Sequence, residues 1–269
     1  MNATDFEYDG QCLRDFGMVI GYMGSSNSDI VSIGSELNWN TIPVRNGALY
    51  LTTTPTYDNV IETTFYIFKI RCGGSQDIEA LTIEEQRSLN RWLNRKEPHL
   101  LHIISKDPVY TYAYFEGSFN LSKIESAGKT VGYELHFISN RPFAIGEPIK
   151  KKIIADTSNY VYEFTDYSDE IGYIYPKTLT IVCKTNGDLT IKNSIEERST
   201  EIYDCETNEI ITFDDSLSFS SDSREIQNAF NYVFFRIANT YTNRVNRLEI
   251  SIPCEITFEY IPIIKGVGL

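Results

Sequence analysis

His99 and His102, in the run His-Leu-Leu-His, are the pair in this sequence that most resembles a metal site. On one face of a helix, two imidazoles three residues apart would offer a metal two nitrogen ligands. On a strand, residues three apart point to opposite faces. Pro98 ends any helix that precedes them, so the strand reading is preferred and the pair is assigned a structural role. His136 stands alone on the polar side of an alternating run. Two acidic groups, Asp166 with Asp169 and Glu170, and Asp214 with Asp215, lack the Asp-x-Asp-x-Asp-Gly spacing of a calcium loop. Carboxylates that cleave glycosides meet in space and not in order. A chain with 37 acidic residues brings many together by accident, and both groups are read as solvated turns. No G-x-S-x-G, phosphate loop or dinucleotide fingerprint occurs, and Gly73-Gly74-Ser75 and Gly21 to Gly24 are read as turns. The expectation is a protein without catalytic residues, metal or cofactor.

Five cysteines, Cys12, Cys72, Cys183, Cys205 and Cys254, are widely spaced and odd in number, with no C-x-x-C pair. They are read as free thiols, mostly buried, of a protein made in a reducing cytoplasm. The net charge is −13. That balance disfavours wrapping nucleic acid, which needs clustered Lys and Arg, but it leaves open a conduit, since a negatively charged channel would repel DNA and keep it from sticking. The single basic run, Lys150-Lys151-Lys152, is read as a solvated linker. Residues Met1 to Phe16 are polar and acidic, unlike a secretory signal. No stretch approaches the ~20 apolar residues of a membrane-spanning helix.

The elements that would carry these residues are mostly strands, in keeping with 18 Tyr and 15 Phe against 2 Trp. Ile61 to Cys72 reads as a long strand, buried on both faces for part of its length. Thr82-Ile83-Glu84-Glu85 contains a capping box, and Leu89, Trp92 and Leu93 recur at helical spacing, which predicts a helix from about Ile83 to Asn94. Trp92 is assigned to packing that helix on the sheet, with a subunit contact as the other reading. Leu100 to Ser105, Val109 to Leu121 and Val131 to Phe137 follow as strands, the last two joined by a turn at Ser126 to Lys129. Asn140-Arg141-Pro142 and Gly146-Glu147-Pro148 mark a break between domains. Beyond it, eight or more short strands predict a β-sandwich or jelly roll. Asn186-Gly187 predicts a hairpin joining Leu179–Cys183 to Leu189–Lys192.

In order and spacing, several short motifs resemble the distal tail protein family of siphophages and prophages. Phe6-Glu7-Tyr8-Asp9-Gly10 and Asp15-Phe16-Gly17-Met18-Val19-Ile20 are similar to its opening. Arg91-Trp92-Leu93 is similar to its helix. Tyr133-Glu134-Leu135-His136-Phe137 with Arg141-Pro142-Phe143 is similar to the close of its first domain. In the second half, Tyr175 to Ile181, Gly187 to Asn193, Val233 to Ile237 and Asn246 to Ile250 resemble its galectin-like sandwich. One departure stands out: Asn243 and Arg244 occupy the place where that family usually carries a glycine.

The resemblance implies a mainly β chain with one α-helix, divided into a ring-forming tail domain over 1–145, a linker over 146–152 and a galectin-like β-sandwich over 153–269. The matching positions it singles out are Phe16, Gly17, Trp92, Leu93 and Pro142. It also implies a virion protein at the tail tip, synthesised and assembled in the host cytoplasm. There a homo-hexameric ring would join the tail tube protein to the tail-associated hub or fibre protein, dock receptor-binding proteins and let DNA pass unread. The competing reading is an adhesin whose sandwich grips host saccharide. Tyr232 or Tyr241 would then stack on the sugar, and Arg236, Asn239 and Arg244 would hold its hydroxyls. Against it, both tryptophans, Trp39 and Trp92, and all three histidines lie in the first half.

Overall fold

The computed structural model describes residues 3–21, 36–43, 49–56, 60–70, 78–106 and 108–265. The chain is mainly β with a single α-helix among the described residues. It divides into two compact units, Met1–Ile145 with Ile264–Leu269, and Gly146–Ile263.

The first unit is built on an antiparallel sheet. From one edge to the other its strands run Gln11–Cys12, Ala3–Tyr8, His99–Ser105, Tyr114–Ser126, Lys129–Ser139, Glu62–Lys69 and Met18–Gly21. Alternation decides which side faces the core. Val131, Tyr133, Leu135 and Phe137 are all buried, and the last three join Phe6, Phe65, Ile67, Leu101, Phe115 and Phe119 in one core. The helix Ile83–Leu93 adds Leu89, Trp92 and Leu93 to that core. Its start is as predicted: Thr82 Oγ1 accepts from the Glu85 N–H at 3.2 Å, and Glu85 Oε2 accepts from the Thr82 N–H at 2.8 Å. The hairpin turn is also as predicted, with Ala127 at φ 48° and Gly128 at φ 71°. Glu36–Pro43 and Leu49–Thr56 pair as a separate antiparallel ribbon.

Several elements differ from expectation. The long strand is regular over Glu62–Lys69, and Cys72 and Gly73-Gly74-Ser75 lie outside the described residues. Val109 to Tyr112 belong to the 3-10 helix Pro108–Tyr112, and the strand begins at Tyr114. Proline lacks an N–H for the ladder, which favours a helical turn at this point.

The second unit is a two-sheet sandwich. One sheet has the order Ile149–Ala155, Cys254–Tyr260, Thr178–Cys183, Ile210–Asp214, Phe219–Ser221. The other runs Tyr160–Thr165, Val245–Ile250, Gly187–Asn193, Ser199–Cys205. Ile153, Leu179, Ile181, Ile211, Ile256 and Phe258 from the first sheet share one core with Phe164, Leu189, Ile191, Ile202, Leu248 and Ile250 from the second. The strands flanking Asn186-Gly187 therefore do not form the predicted hairpin, because they lie in opposite sheets. Both have apolar inner faces, and stacking across a core buries the two faces against each other, as pairing side by side does not. Asn186 accepts from the Thr207 N–H and hydroxyl at 2.7 and 2.8 Å, so its side chain fastens the crossover. Lys150 to Lys152 also depart from the expected linker. They lie in the edge strand Ile149–Ala155, where Lys152 pairs with Glu255 at 2.6 Å. Val233 to Arg236 form no strand, and regular pairing starts at Ile237.

Candidate functional site

Three of the five motif positions, Phe16, Trp92 and Leu93, meet at the core of the first unit, and Gly17 lies in an exposed turn beside them. A 3-10 turn, Leu13–Phe16, ends at Gly17, whose φ of 68° is costly for any residue with a Cβ. The Gly17 N–H donates to the Arg14 carbonyl at 2.9 Å. This turn places Phe16 flat on Trp92, with ring centroids 4.3 Å apart and planes 9° from parallel. Phe6 lies nearly parallel to the same indole at 5.7 Å. The Trp92 Nε1–H donates to the Tyr8 carbonyl at 2.8 Å, and Leu93 beside it is fully buried. Trp92 is 3% exposed, so within this chain it ties helix to sheet rather than presenting a contact surface. Pro142 lies elsewhere, in the bend after Lys129–Ser139. Neighbouring Arg141 pairs with Glu116 at 2.8 Å, and the Asn140 N–H donates to the Glu116 carbonyl at 2.8 Å.

A charged group next to this stack was not anticipated from sequence. Asp9 receives Arg95 Nη2 at 2.5 Å and His99 Nδ1 at 3.1 Å, binding the strand start to the end of the helix. Burial pushes the Tyr8 hydroxyl up to about 12; Arg95 opposes that shift and Asp9 reinforces it. Its O–H donates to the Gly117 carbonyl at 3.2 Å. The Asp9-Gly10 turn was a legible signal, but its partners are some 90 residues away in sequence. His102 contacts the Tyr110 carbonyl at 3.1 Å on the strand face opposite His99, so the two histidines do not converge.

In the sandwich, the polar residues considered for sugar binding are engaged internally. Arg236 Nε donates to Glu196 at 2.7 Å, and its guanidinium lies 3.7 Å from the centre of the Tyr173 ring. Asn239 is 5% exposed and donates to Asp166 at 2.7 Å. Arg244 donates to the Ser168 carbonyl. Tyr241 and Tyr232 are well exposed, but the three groups expected to grip hydroxyls already have partners. Asp166 corrects the reading of its cluster as a solvated turn. It is fully buried, because the Ser168 N–H and the Asn239 amide together satisfy its carboxylate. Asp214 and Asp215 do occupy an exposed turn, in which Asp214 Oδ1 accepts from Ser216 and Ser218. At the place of the missing glycine, Asn243 closes the turn by side-chain chemistry. Its N–H donates to Thr240 Oγ1 at 3.0 Å and its Oδ1 accepts from Val245 at 3.0 Å.

Two further buried polar groups complete the sandwich. Asn193, at the end of its strand, donates to Asn246 at 2.6 Å, and Asn246 Oδ1 also accepts from Ala238 at 2.9 Å. Glu209 is 2% exposed. Burial alone would raise its carboxyl, but the Glu206 N–H, the Ser221 hydroxyl and Arg224 hold it below the ordinary range. The four described cysteines, Cys12, Cys183, Cys205 and Cys254, are free.

The chain is mainly β and divides into two units, and the polar groups described above bond within their own unit. Residues 1–141 match a family model described as a phage tail protein N-terminal domain, and residues 143–260 match one described as a phage tail C-terminal domain. The chain belongs to this family of phage tail proteins. Comparison with curated proteins finds no match. Among solved structures, it is similar to the Dit protein (gp 19.1) of phage SPP1, described as a paradigm of the hub adsorption apparatus in phages that infect Gram-positive hosts. The alignment covers 97% of this chain and 99% of that one, with a TM-score of 0.62 and 14% identity. The fold is that of a distal tail protein.

Proposed function

We propose that this chain is the hub at the tip of a phage tail, working as a scaffold and not as an enzyme. Six copies form a ring through their first units. The ring joins the tail tube protein to the tail-associated hub or fibre protein and gives receptor-binding proteins their docking points. DNA passes through the lumen without being read. The chain is synthesised in the host cytoplasm and ends in the virion. The observation that carries this reading is agreement along nearly the whole length: both halves match phage tail domains, and 97% of the chain aligns with a protein described as a hub. The internal engagement of Arg236, Asn239 and Arg244 favours a scaffold over a saccharide-binding adhesin.

Negative-stain electron microscopy of the purified protein tests the assembly, and six-fold rings are expected, alone or in equilibrium with monomer. A strictly monomeric species at high concentration, without rings even beside its tail partners, would reject the hub.

A further inference from the structure

Three of the five cysteines belong to the core of the sandwich, and each is at most 1% exposed. Cys183 is the last residue of Thr178–Cys183 and Cys254 the first of Cys254–Tyr260, on neighbouring antiparallel strands of one sheet. Cys205 ends Ser199–Cys205 in the other sheet.

The ladder fixes how two of them face each other. Cys183 and Cys254 are direct cross-strand partners. The Cys183 N–H donates to the Glu209 carbonyl at 3.0 Å, and the Cys183 carbonyl accepts from the Asn208 N–H at 2.8 Å. Both backbone groups therefore point away from Cys254. The bond flanking the pair runs from the Lys184 N–H to the Pro253 carbonyl at 3.0 Å. Cys183 and Cys254 are thus a non-hydrogen-bonded pair. In such a pair the Cα atoms lie about 4.5 Å apart and the side chains are at their closest. A disulfide spans Cα separations of about 4.4–6.8 Å. Both side chains lie on the inner face of the sheet, so the bond can close with little movement of either strand. Cys205 shares no ladder with either residue, and no strand pairing holds it in register with them. We propose that Cys183 and Cys254 are an oxidisable pair, which a peroxide converts to a disulfide across the last rung of the two strands while Cys205 remains a thiol.

Burial pushes the Cys254 thiol up to about 12, so the closed sandwich supplies little thiolate. Local opening at the strand ends supplies it and admits the oxidant. The ladder is weakly tied there. Pro253 has no N–H to return a bond to Lys184, so a single backbone bond joins the two strands beyond the pair. In the opened state one thiolate displaces hydroxide from hydrogen peroxide and becomes a sulfenic acid. The other sulfur then attacks that sulfur and releases water. Overall, two thiols and one peroxide give one disulfide and two waters. A protein made in a reducing cytoplasm and released with the virion would meet such oxidants. That setting rests on the tail-hub reading, whereas the chemistry is tested on the purified chain alone.

The experiment treats the full-length protein with hydrogen peroxide, alkylates it under denaturation and maps the peptides without reductant. Expected are a Cys183–Cys254 linked peptide, two of the five thiols consumed by that link, and a rise in melting temperature that dithiothreitol reverses. Cys254→Ser should abolish the link and the rise, and Cys205→Ser should keep both. A link from Cys205 to either residue would overturn the proposal. So would Cys183 and Cys254 still alkylated as thiols after the half-buried Cys12 has been oxidised. Peptide mapping of the unmodified chain decides this even if a variant fails to fold, and a negative result leaves the tail-hub reading intact.

Discussion

Trp92 shows how much one side chain can hold. It stacks on Phe16, lies near-parallel to Phe6 and donates to the Tyr8 carbonyl, so it touches the 3-10 turn and the first strand at once. Replacing it with Ala removes both rings' partner and opens a cavity. The expected cost is about 3–5 kcal/mol, in the range of buried aromatic truncations. Trp92→Phe keeps most of the stacking but leaves the Tyr8 carbonyl unpaired, and should cost about 1–3 kcal/mol. Urea denaturation followed by circular dichroism would measure both. Equal losses for the two variants would show that the indole N–H, and not packing, carries the effect. The sequence signal here was helical spacing, which identifies a buried face. The Tyr8 acceptor, 84 residues away, is invisible to it.

Among elements, the strand Lys129–Ser139 is the most constrained. Its alternation was legible, but alternation alone gives Gly132 no role. The fold gives it a reason: a Cβ built there would come within 2.2 Å of the Ile67 carbonyl and 2.8 Å of the Phe68 ring. Backbone cannot yield as a flexible side chain does. Gly132→Ala should therefore cost at least the upper part of the about 1–3 kcal/mol typical of overpacking. A melting curve indistinguishable from the parent would show that the two strands can move apart. The helix was legible to within a residue because its capping box and apolar stripe are local. The Asn186-Gly187 connection misled for the converse reason. A turn dipeptide reports that the chain reverses, not whether the next strand joins the same sheet or crosses to the other.

For the whole molecule, the division at Ile145 and Gly146 has a direct consequence. We propose that a fragment spanning Gly146 to Ile263 folds alone as an all-β monomer. It has its own core and keeps Ile149–Ala155, which a start at Lys151 would cut. Circular dichroism with a cooperative thermal transition would support this. An unfolded or insoluble fragment would mean that the two units depend on one another. Ile264 packs on the core of the first unit, so residues 1–145 alone lack one of its apolar contacts.

The sequence by itself determined the mainly β class and the helix with its cap, and it showed no recognisable catalytic spacing. All of these are written in local periodicity and turn chemistry. The order of short motifs also pointed to a phage tail family that the matches over both halves then supported. Only the tertiary structure decided that Asp166 is buried, that Lys150 to Lys152 form an edge strand, that the strands around Asn186 belong to opposite sheets, and that Cys183, Cys205 and Cys254 share one end of a core. Each of these depends on a partner tens of residues distant. Burial and pairing are properties of the closed sandwich, and no window of sequence contains them.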